Sequence, residues 1–263
     1  DYMRVSLIIT TYNRSDALLL VLRSVENQSI LPFEVVIADD GSNNNTREVI
    51  DNFQSSSNIN VIHSWQKDNG FRAAKSRNKA IARSSGEYII LIDGDMVIHP
   101  EFVQDHISNA QMSFFVQGNR VLLTKNATKS LLEKKDTKLS FFSRGIKNRK
   151  NAIYSVLLSK LFSKKKNYLR GIKTCNMSFF KKDCIAINGF NNNFEGWGRE
   201  DSEFAIRLLN SGINRKNLRF SGIQFHLWHT ENTRVSLRQN DVILNSSINN
   251  NSKWCNNGID KYL

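Results

Sequence analysis

The sequence predicts an α/β fold built on a mainly parallel central sheet with helices on both faces. Strand-like and helix-like segments alternate through the first hundred residues, which is the pattern of consecutive β–α units. The strand-like segments are apolar throughout, as expected of strands that are covered on both faces by helices. The chain has 263 residues, of which 40% are hydrophobic, so it can bury a large core, and disordered and fibrous proteins are excluded.

The first half of the chain supplies the regular units. Residues 5–10 form a β-branched apolar run, and Ser15 is a suitable N-cap for the amphipathic helix that follows. This strand–helix unit is followed by two more such units and then by a fourth strand. The remaining predicted elements of this half are strands at 33–38, 59–65 and 87–92 and helices at 46–53 and 73–83.

The second half is less regular. Strands are predicted at 174–180 and 220–228, with a helix at 199–209 between them. Residues 114–123 form either one long strand or a pair of strands. The residues after Leu244 are rich in Asn and Ser, and we expect them to form a loose tail.

Polar clusters stand where the predicted strands end. Thr11-Tyr12-Asn13 follows the first strand, Asp39-Asp40 the second and Asp93-Gly94-Asp95 the fourth. In parallel sheets, ligands bind beyond the carboxyl ends of the strands. The chain has neither a glycine-rich dinucleotide motif after its first strand nor a P-loop, so binding in the Rossmann or P-loop manner is excluded. These strand ends are the candidate ligand site.

Three groups of residues suggest chemistry at this site. Two carboxylates one residue apart, Asp93 and Asp95, are hard oxygen ligands that suit Mg²⁺ or Mn²⁺, although Asp-Gly is also a common turn. Glu200 and Asp201 would begin the helix at 199–209, where acidic residues are favoured for capping alone. His226 and His229 could both reach one metal, although a lone His is more often structural.

The order of these motifs carries a family resemblance. They read Thr-Tyr-Asn-Arg, Asp-Asp-Gly-Ser, Asp-Gly-Asp, Trp-Gly-Arg-Glu-Asp and His-Leu-Trp-His. Together they resemble a family 2 glycosyltransferase of the GT-A fold, in the branch with a galactosyltransferase-like C-terminal half. That branch includes animal β-1,4-galactosyltransferases and bacterial chondroitin polymerase modules, to which residues 66–78 are especially similar.

The resemblance implies the nucleotide-diphospho-sugar transferase fold and a division of the chain. A nucleotide-sugar-binding half spans 1–124, and an acceptor- and metal-binding half spans 174–244. A basic, partly helical insertion at 125–173 separates them, and a C-terminal tail follows at 245–263. The insertion and the tail lie outside the resemblance.

The resemblance also implies which residues bind a UDP-sugar donor. They lie at or near the strand ends: Thr11, Tyr12, Arg14, Asp39, Asp40, Asn69, Arg77, Asp93 and Gly94. Asp39 is expected to accept from the uracil N–H and Asp40 to brace the loop, although the sequence does not separate these two roles. Arg77 is expected near the diphosphate.

For the metal, the resemblance assigns Asp95 and His229, with Mn²⁺ or Mg²⁺ as the ion. His226 is a further candidate, because it stands where the galactosyltransferases use a Met. This departure from the family leaves two alternatives open: a harder metal site, or a site that only one His binds.

The reaction implied is an inverting transfer of a hexose or N-acetylhexosamine to a hydroxyl of a glycan or lipid-linked glycan. Asp201 is expected to be the general base. Acceptor or sugar contacts are assigned to Trp197, Gly198, Glu200 and Asn176. The expected setting is synthesis of a bacterial capsule, lipopolysaccharide or other surface polysaccharide. The alternative is a degenerate GT-A domain that binds glycan or acts as a scaffold.

The net charge of +13 is concentrated in one segment. The segment from Lys129 to Lys173 contains 14 of the 37 Lys and Arg residues. It contains only 2 of the 24 Asp and Glu residues. Basic residues interspersed with apolar ones suit an anionic membrane surface, with a solvated loop as the alternative. Nucleic acid is not expected as a partner, because the segment lacks the regularly interleaved aromatics and glycines of RNA-binding modules.

The three cysteines are too few and too scattered for a disulfide framework, which favours a reducing compartment. Several of the Asn-x-Ser/Thr sequons fall inside the candidate site, so we interpret them as chance. We therefore expect a cytoplasmic protein, with peripheral attachment to the inner face of the cytoplasmic membrane as a further option.

Overall fold

The computed structural model describes residues 3–230 and 233–263. Within these ranges the strands are β1 (Val5–Thr11), β2 (Glu34–Asp39), β3 (Val61–Trp65), β4 (Tyr88–Asp93), β5 (Met96–Ile98), β6 (Phe114–Gln117), β7 (Val121–Leu122), β8 (Lys164–Lys165), β9 (Asn176–Phe180), β10 (Asn214–Asn217) and β11 (Gln224–His226). The helices are α1 (Ser15–Glu26), α2 (Asn44–Ser56), α3 (Ala73–Arg83), α4 (Phe102–Asn109), α5 (Lys125–Lys134), α6 (Val156–Phe162), α7 (Lys181–Ala186), α8 (Glu200–Asn210) and α9 (Leu237–Asn249).

The strands form an eight-stranded sheet in the order β3-β2-β1-β4-β9-β6-β10-β8 and a three-stranded sheet in the order β5-β11-β7. The four strands predicted in the first half are parallel neighbours, as expected. The sheet is mixed beyond them, because β9 runs antiparallel to both β4 and β6. Pairing of β4 with β9 joins the two predicted halves in one sheet, and helices cover both faces.

The segment 114–123 forms a pair of strands, which is one of the two predicted alternatives, and the two strands belong to different sheets. It forms β6 in the large sheet and β7 in the small one. Gly118 lies at the division, where its N–H donates to the Asn176 carbonyl at 2.9 Å. A Cβ at this position would lie 2.3 Å from the Asn176 side chain, so only glycine permits this close approach.

The expectation of a loose tail is wrong. Residues 237–249 form α9, which the sequence analysis did not predict, and the boundary at 245 falls inside this helix. The chain beyond it returns to the core, where Ile259 is fully buried and Cys255 is 5% exposed. The side chain of Asn188 holds this return by donating to the Cys255 carbonyl at 2.7 Å and accepting from the Asp260 N–H at 2.9 Å.

The segment 125–173 is partly helical, as predicted, and one part of it is packed against the fold. α5 and the chain after it contribute Leu131, Leu139, Phe141 and Ile146 to the cluster around β7 and β11. Another part, α6, leaves much of its apolar surface exposed. No helix in the described ranges combines the length and the apolar character of a membrane span.

A buried ion pair fixes α8, the helix that carries Asp201. The guanidinium of Arg207 donates to both carboxylate oxygens of Glu203 at 2.7 Å and to the carbonyls of Ile187 and Gly189. Neither side chain of the pair is more than 1% exposed. Removing one partner leaves the other as an unpaired buried charge.

We therefore expect Arg207→Leu to lower the free energy of unfolding by about 3–5 kcal/mol. Urea denaturation followed by circular dichroism measures the change. The matched control is Arg238→Leu on the exposed surface of α9, which should stay within about 0.5 kcal/mol of the parent. Equal stability of the two variants would contradict this account of the pair.

Candidate active site

The candidate site is assembled by strand register. Thr11 at the end of β1 lies opposite Asp39 at the end of β2, and Thr10 lies opposite Asp93 at the end of β4. The chain then turns at Gly94, whose N–H donates to the Thr10 carbonyl at 2.7 Å. A Cβ at Gly94 would meet Thr11 Oγ1 at 3.0 Å, so the residue allows β1 and the turn to pack closely. Polar strand ends thus meet at one edge, as predicted.

Three predicted metal ligands come together beside this turn. Asp95 Oδ2 lies 3.4 Å from His226 Nε2 and 3.3 Å from His229 Nε2. These atoms all lie within 4.8 Å of one another. The backbone fixes them, because β5 after Asp95 pairs antiparallel with β11 and Leu227 N–H donates to the Asp95 carbonyl at 2.9 Å. Both histidines therefore face the second Asp of the Asp-Gly-Asp motif.

The hydrogen bonds of this cluster favour a cation between its members. His229 Nδ1 lies 2.7 Å from the Thr230 carbonyl, which can only accept, so Nδ1 carries a proton. In the neutral ring, Nε2 then directs a lone pair toward the Asp95 carboxylate, and two acceptors would face each other. Asp95 Oδ1 is buried without a hydrogen-bond partner. Two ligands about 2.1 Å from a metal and at right angles lie about 3 Å apart, close to the observed separations.

The pKa values of the two aspartates of the Asp-Gly-Asp motif shift in opposite directions. Burial favours the protonated form of both. For Asp95, the hydrogen bond from His226 and the charges of both histidines outweigh burial and lower the pKa. For Asp93, burial prevails and, with the Asp95 carboxylate nearby, raises the pKa despite the opposing charge of Arg77. The carboxylate of Asp95 thus favours the ionised form, and a cation bound in place of the histidine protons would favour the same form.

Arg77 links this edge to the second acidic group. Its guanidinium donates to Thr10 Oγ1 at 3.2 Å, to Glu200 at 3.2 Å and to Asp93 at 3.4 Å. The side chain is 5% exposed and lies against the ring of Phe190. One buried cation thus neutralises two carboxylates, and its predicted contact with a diphosphate stays a prediction.

Asp201 lies in the first turn of α8, half-buried beside Glu200. Burial and the neighbouring Glu200 carboxylate raise the pKa of Asp201 to about 7, against opposing hydrogen bonds from Ser202. Asp201 Oδ1 accepts the Ser202 N–H at 2.6 Å. Oε2 of Glu200 is buried without a hydrogen-bond partner. The pair thus offers a carboxylate that can take up a proton near neutral pH and an acceptor oxygen without a protein donor.

The loop before α8 is shaped by positive φ angles and by α9. Gly196, Gly198 and Arg199 have φ values of +71°, +104° and +77°. A Cβ at Gly196 would lie 2.3 Å from Ser236 Oγ, so the start of α9 packs directly on the loop. Trp197 is 41% exposed on this loop, as an acceptor contact requires. The Gly198 carbonyl accepts a hydrogen bond from the Asn240 side chain, so it is already paired within the protein.

Both aspartates of the Asp-Asp-Gly-Ser motif are buried. Asp39 accepts from Gly41 N–H at 3.2 Å and Ser42 N–H at 2.8 Å, and its second oxygen lies 2.8 Å from His63 Nε2. Asp40 accepts from Gln66 at 2.6 Å and from Arg72 N–H at 2.7 Å. Both residues brace the loop, and the contact of Asp39 with uracil stays a prediction.

The other residues predicted to bind the UDP-sugar lie around the carboxyl ends of these strands. Tyr12 is 45% exposed, and its hydroxyl donates to Asp68 at 2.9 Å. Arg14 is partly exposed and lowers the pKa of Asp95 through its charge. Asn69 borders a cavity of about 390 Å³ that residues 66–69 line together with Arg72, Lys75 and Lys79. Thr11 is buried, with an Oγ1 that has no hydrogen-bond partner.

Asn176 is a correction. It is 1% exposed, its amide donates to the carbonyls of Asn119 and Gly222, and its Oδ1 lies 3.0 Å from His106 Nε2. These partners occupy the amide inside the protein, so Asn176 has no access to an acceptor. Its role is to hold β9 against the loops before β7 and β11.

Two residues that support the site escaped the sequence analysis. His63 on β3 contacts the carboxylate of Asp39. Asn240 on α9 is 1% exposed and donates to the carbonyls of Glu195 and Gly198, which fixes the loop that carries Trp197. Alternation along β3 puts His63 and Trp65 on one face of the sheet, and the pairing of β3 with β2, which the sequence does not display, sets that face beside Asp39.

Comparison with known families decides the classification. The family model described as glycosyl transferase family 2 matches residues 6–183. The chain belongs to glycosyltransferase family 2. A second model, described as the N-terminal domain of galactosyltransferase, matches residues 158–230. The family 2 match runs through the basic segment, so the expectation that the insertion at 125–173 lies outside the resemblance is wrong.

Two curated relatives of this family 2 chain are a chondroitin synthase and a hyaluronan synthase. It is 29% identical to chondroitin synthase of Escherichia coli over 79% of this chain and 32% of that protein. It is 29% identical to hyaluronan synthase of Pasteurella multocida over 81% of this chain and 23% of that protein. The chain thus spans about a third or less of these two relatives.

Solved structures confirm the GT-A fold. The structure of S. aureus TarS 1-349 in complex with UDP superimposes with a TM-score of 0.63 and 15% identity, covering 94% of this chain and 66% of that one. A longer S. aureus TarS structure gives a TM-score of 0.63 and 17% identity, covering 94% of this chain and 40% of that one. At this identity the likeness concerns the fold.

Proposed function

We propose that the chain is an inverting, metal-dependent glycosyltransferase domain that moves a hexose or N-acetylhexosamine from a UDP-sugar to a hydroxyl of a glycan acceptor. The observation that carries the proposal is the bridge made by Arg77. One guanidinium contacts Asp93 on the donor side and Glu200 on the acceptor side. Asp93 stands two residues before the candidate ligand Asp95, and Glu200 adjoins Asp201. The bridge therefore supports a common location for the metal and the base, as a direct displacement requires.

Family membership supports transfer of a sugar, and the UDP in the related TarS structure supports a uridine nucleotide as donor. The donor residues at the strand ends would hold the nucleotide, with Tyr12 exposed for contact with a base. Asp93, opposite Thr10 and paired with Arg77, would meet the ribose or the donor sugar. The identity of the sugar is left open among hexoses and N-acetylhexosamines.

Asp95, His226 and His229 would hold the metal. When bound, the ion would neutralise the diphosphate leaving group as the glycosidic bond breaks. Two imidazole nitrogens and one carboxylate suit Mn²⁺ better than Mg²⁺, which prefers an all-oxygen shell with water. The facing acceptor atoms and the unpartnered Asp95 Oδ1 support this assignment.

Asp201 would act as the general base. As the acceptor hydroxyl attacks the anomeric carbon from the face opposite the diphosphate, its proton passes to the Asp201 carboxylate. The free Glu200 Oε2 would accept a hydrogen bond from a sugar hydroxyl, and Trp197 would pack on a sugar face. A single displacement inverts the anomeric centre, so a UDP-α-sugar would give a β-glycoside.

We place this activity in synthesis of a bacterial surface polysaccharide, on a glycan or lipid-linked glycan acceptor. The names of the relatives, chondroitin and hyaluronan synthases, support this class of product. Cys175, Cys184 and Cys255 are free, buried thiols, which suits the reducing cytoplasm. The alternative, a degenerate glycan-binding domain, is disfavoured because Asp95, His229 and Asp201 are all present, whereas a degenerate domain would be expected to have lost some of them.

Release of UDP from a panel of UDP-sugars tests the proposal. The chain is assayed with Mn²⁺, with Mg²⁺ and with EDTA, in the presence and absence of glycan acceptors. We expect release with Mn²⁺ that EDTA abolishes and an acceptor accelerates. Tight binding of a glycan with no release from any donor would support the degenerate domain instead.

The raised pKa of Asp201 predicts the pH profile. A general base works only when ionised, so the rate should rise with pH through about 7 and level off above it. The measurement is kcat/KM for UDP-sugar at saturating Mn²⁺ between pH 5.5 and 8.5, in three overlapping buffers. A profile that falls over this range would contradict the role of Asp201 as base.

A further inference from the structure

An exposed apolar face on α6 stands out from the rest of the surface. Val156, Leu157, Leu161 and Phe162 are 53%, 69%, 59% and 52% exposed. They belong to a helix of seven residues, whose inward side chain, Ser159, is 4% exposed. We call these four side chains the α6 face. An apolar group of this kind exposed on one short helix indicates an interaction surface.

The fold holds this face outward through specific contacts. Ser155 caps α6, since its Oγ accepts the Leu158 N–H at 3.3 Å, and its own N–H donates to the Phe220 carbonyl at 2.9 Å. Ser159 Oγ lies 2.7 Å from Ser221 Oγ. These contacts fix α6 on the loop 218–223, so exposure of its apolar side is a property of the packed structure.

Positive charge surrounds the α6 face. Lys160 lies within α6, and Lys164 and Lys165 follow it in the edge strand β8; all three are exposed. Of the two acidic residues between 129 and 173, Glu133 is paired with Lys129. Among the described residues, none of these three lysines forms an ion pair with a carboxylate, so the surface combines exposed positive charge with apolar side chains that gain free energy on leaving water.

We infer that α6 and β8 form a docking surface for an anionic membrane. A soluble polyanion would engage the lysines but would leave the four apolar side chains in water. An anionic bilayer engages both, because basic residues meet its headgroups while apolar side chains enter the acyl boundary. The loop that supports α6, residues 218–223, leads directly into β11, so the docking surface is fixed to the folded domain.

Cosedimentation with sucrose-loaded vesicles tests the inference. The probes are vesicles of phosphatidylcholine alone and with 30% phosphatidylglycerol, at 50 and 500 mM NaCl. We expect binding only to the anionic vesicles and only at low salt. Replacing Lys160, Lys164 and Lys165 by Ala should weaken binding roughly 100-fold, since each basic residue contributes about 1 kcal/mol near the surface.

The apolar part is tested by Leu157→Ser with Leu161→Ser, which should also weaken binding at least about tenfold while leaving the circular dichroism spectrum unchanged. The matched control removes three exposed charges elsewhere, with Arg47, Lys253 and Lys261 replaced by Ala, and should bind nearly as the parent.

Three outcomes would overturn the inference: no binding of the parent at 50 mM NaCl, equal losses in the control and the lysine variant, or unchanged binding of the serine variant. Competition by dextran sulfate together with unchanged binding of the serine variant would identify a soluble polyanion as the partner.

Discussion

Asp201→Asn is expected to lower kcat by about 10²–10⁴ while leaving the affinity for the UDP-sugar nearly unchanged. The amide keeps the shape of the carboxylate and can still accept the Ser202 N–H at Oδ1, so the first turn of α8 is preserved. It cannot take up the proton of the acceptor hydroxyl. Turnover should therefore fall without loss of structure.

The measurement is kcat and KM for donor and acceptor, together with the Kd of UDP by calorimetry. The matched control is Asp51→Asn on the exposed surface of α2, which removes a carboxylate far from the cleft and should leave all values unchanged. The pH profile adds a second readout, since the rise through about 7 should disappear from the residual activity of Asp201→Asn. A large loss of UDP-sugar affinity with kcat preserved would instead make Asp201 a donor-binding residue.

The elements that could be predicted from the sequence are those whose signal is local. The helix predicted at 73–83 agrees with α3 at both ends, and the first strand differs by one residue, because apolar periodicity and flanking turns determine these elements. Strand-end polar residues also came together as expected, since parallel register alone places them at one edge.

The elements that escaped prediction depend on partners distant in the chain. α9 has a run of Asn and Ser that lowers helix propensity, yet packing on the loop at Gly196 stabilises it. Asn176 was assigned to the acceptor, but its side chain points inward from β9 to His106. His63 became part of the site only through the pairing of β3 with β2. Such positions follow from tertiary contacts that one sequence does not display.

The second large effect is expected at the metal cluster. Asp95→Ala removes the carboxylate that faces both imidazoles, and His229→Ala removes the ring whose Nε2 lies 3.3 Å from it. Each should weaken Mn²⁺-dependent UDP binding on the order of 100-fold or more, since even outer-shell substitutions lower metal affinity 10–100-fold. Calorimetry of UDP with Mn²⁺ and with EDTA measures the effect, and the EDTA values should be the same for parent and variants. His99→Ala, a histidine outside the cluster that stacks on Tyr154, is the control for loss of a ring.

His226→Ala decides between the two alternatives that the sequence left open. His226 Nε2 lies 3.4 Å from Asp95 Oδ2, nearly the same separation as for His229. The distances therefore do not favour one ring over the other as a metal ligand. A site with three protein ligands should lose Mn²⁺-dependent UDP binding to a similar degree when either ring is removed. If His226→Ala binds UDP and Mn²⁺ like the parent while His229→Ala does not, the ion is held by Asp95 and His229 alone. If both variants bind like the parent, the assignment of the ion to this cluster is wrong. The described part of the chain holds no other group of three His, Cys, Asp or Glu ligands that could replace it, so UDP binding would then not depend on a metal held by three such ligands there.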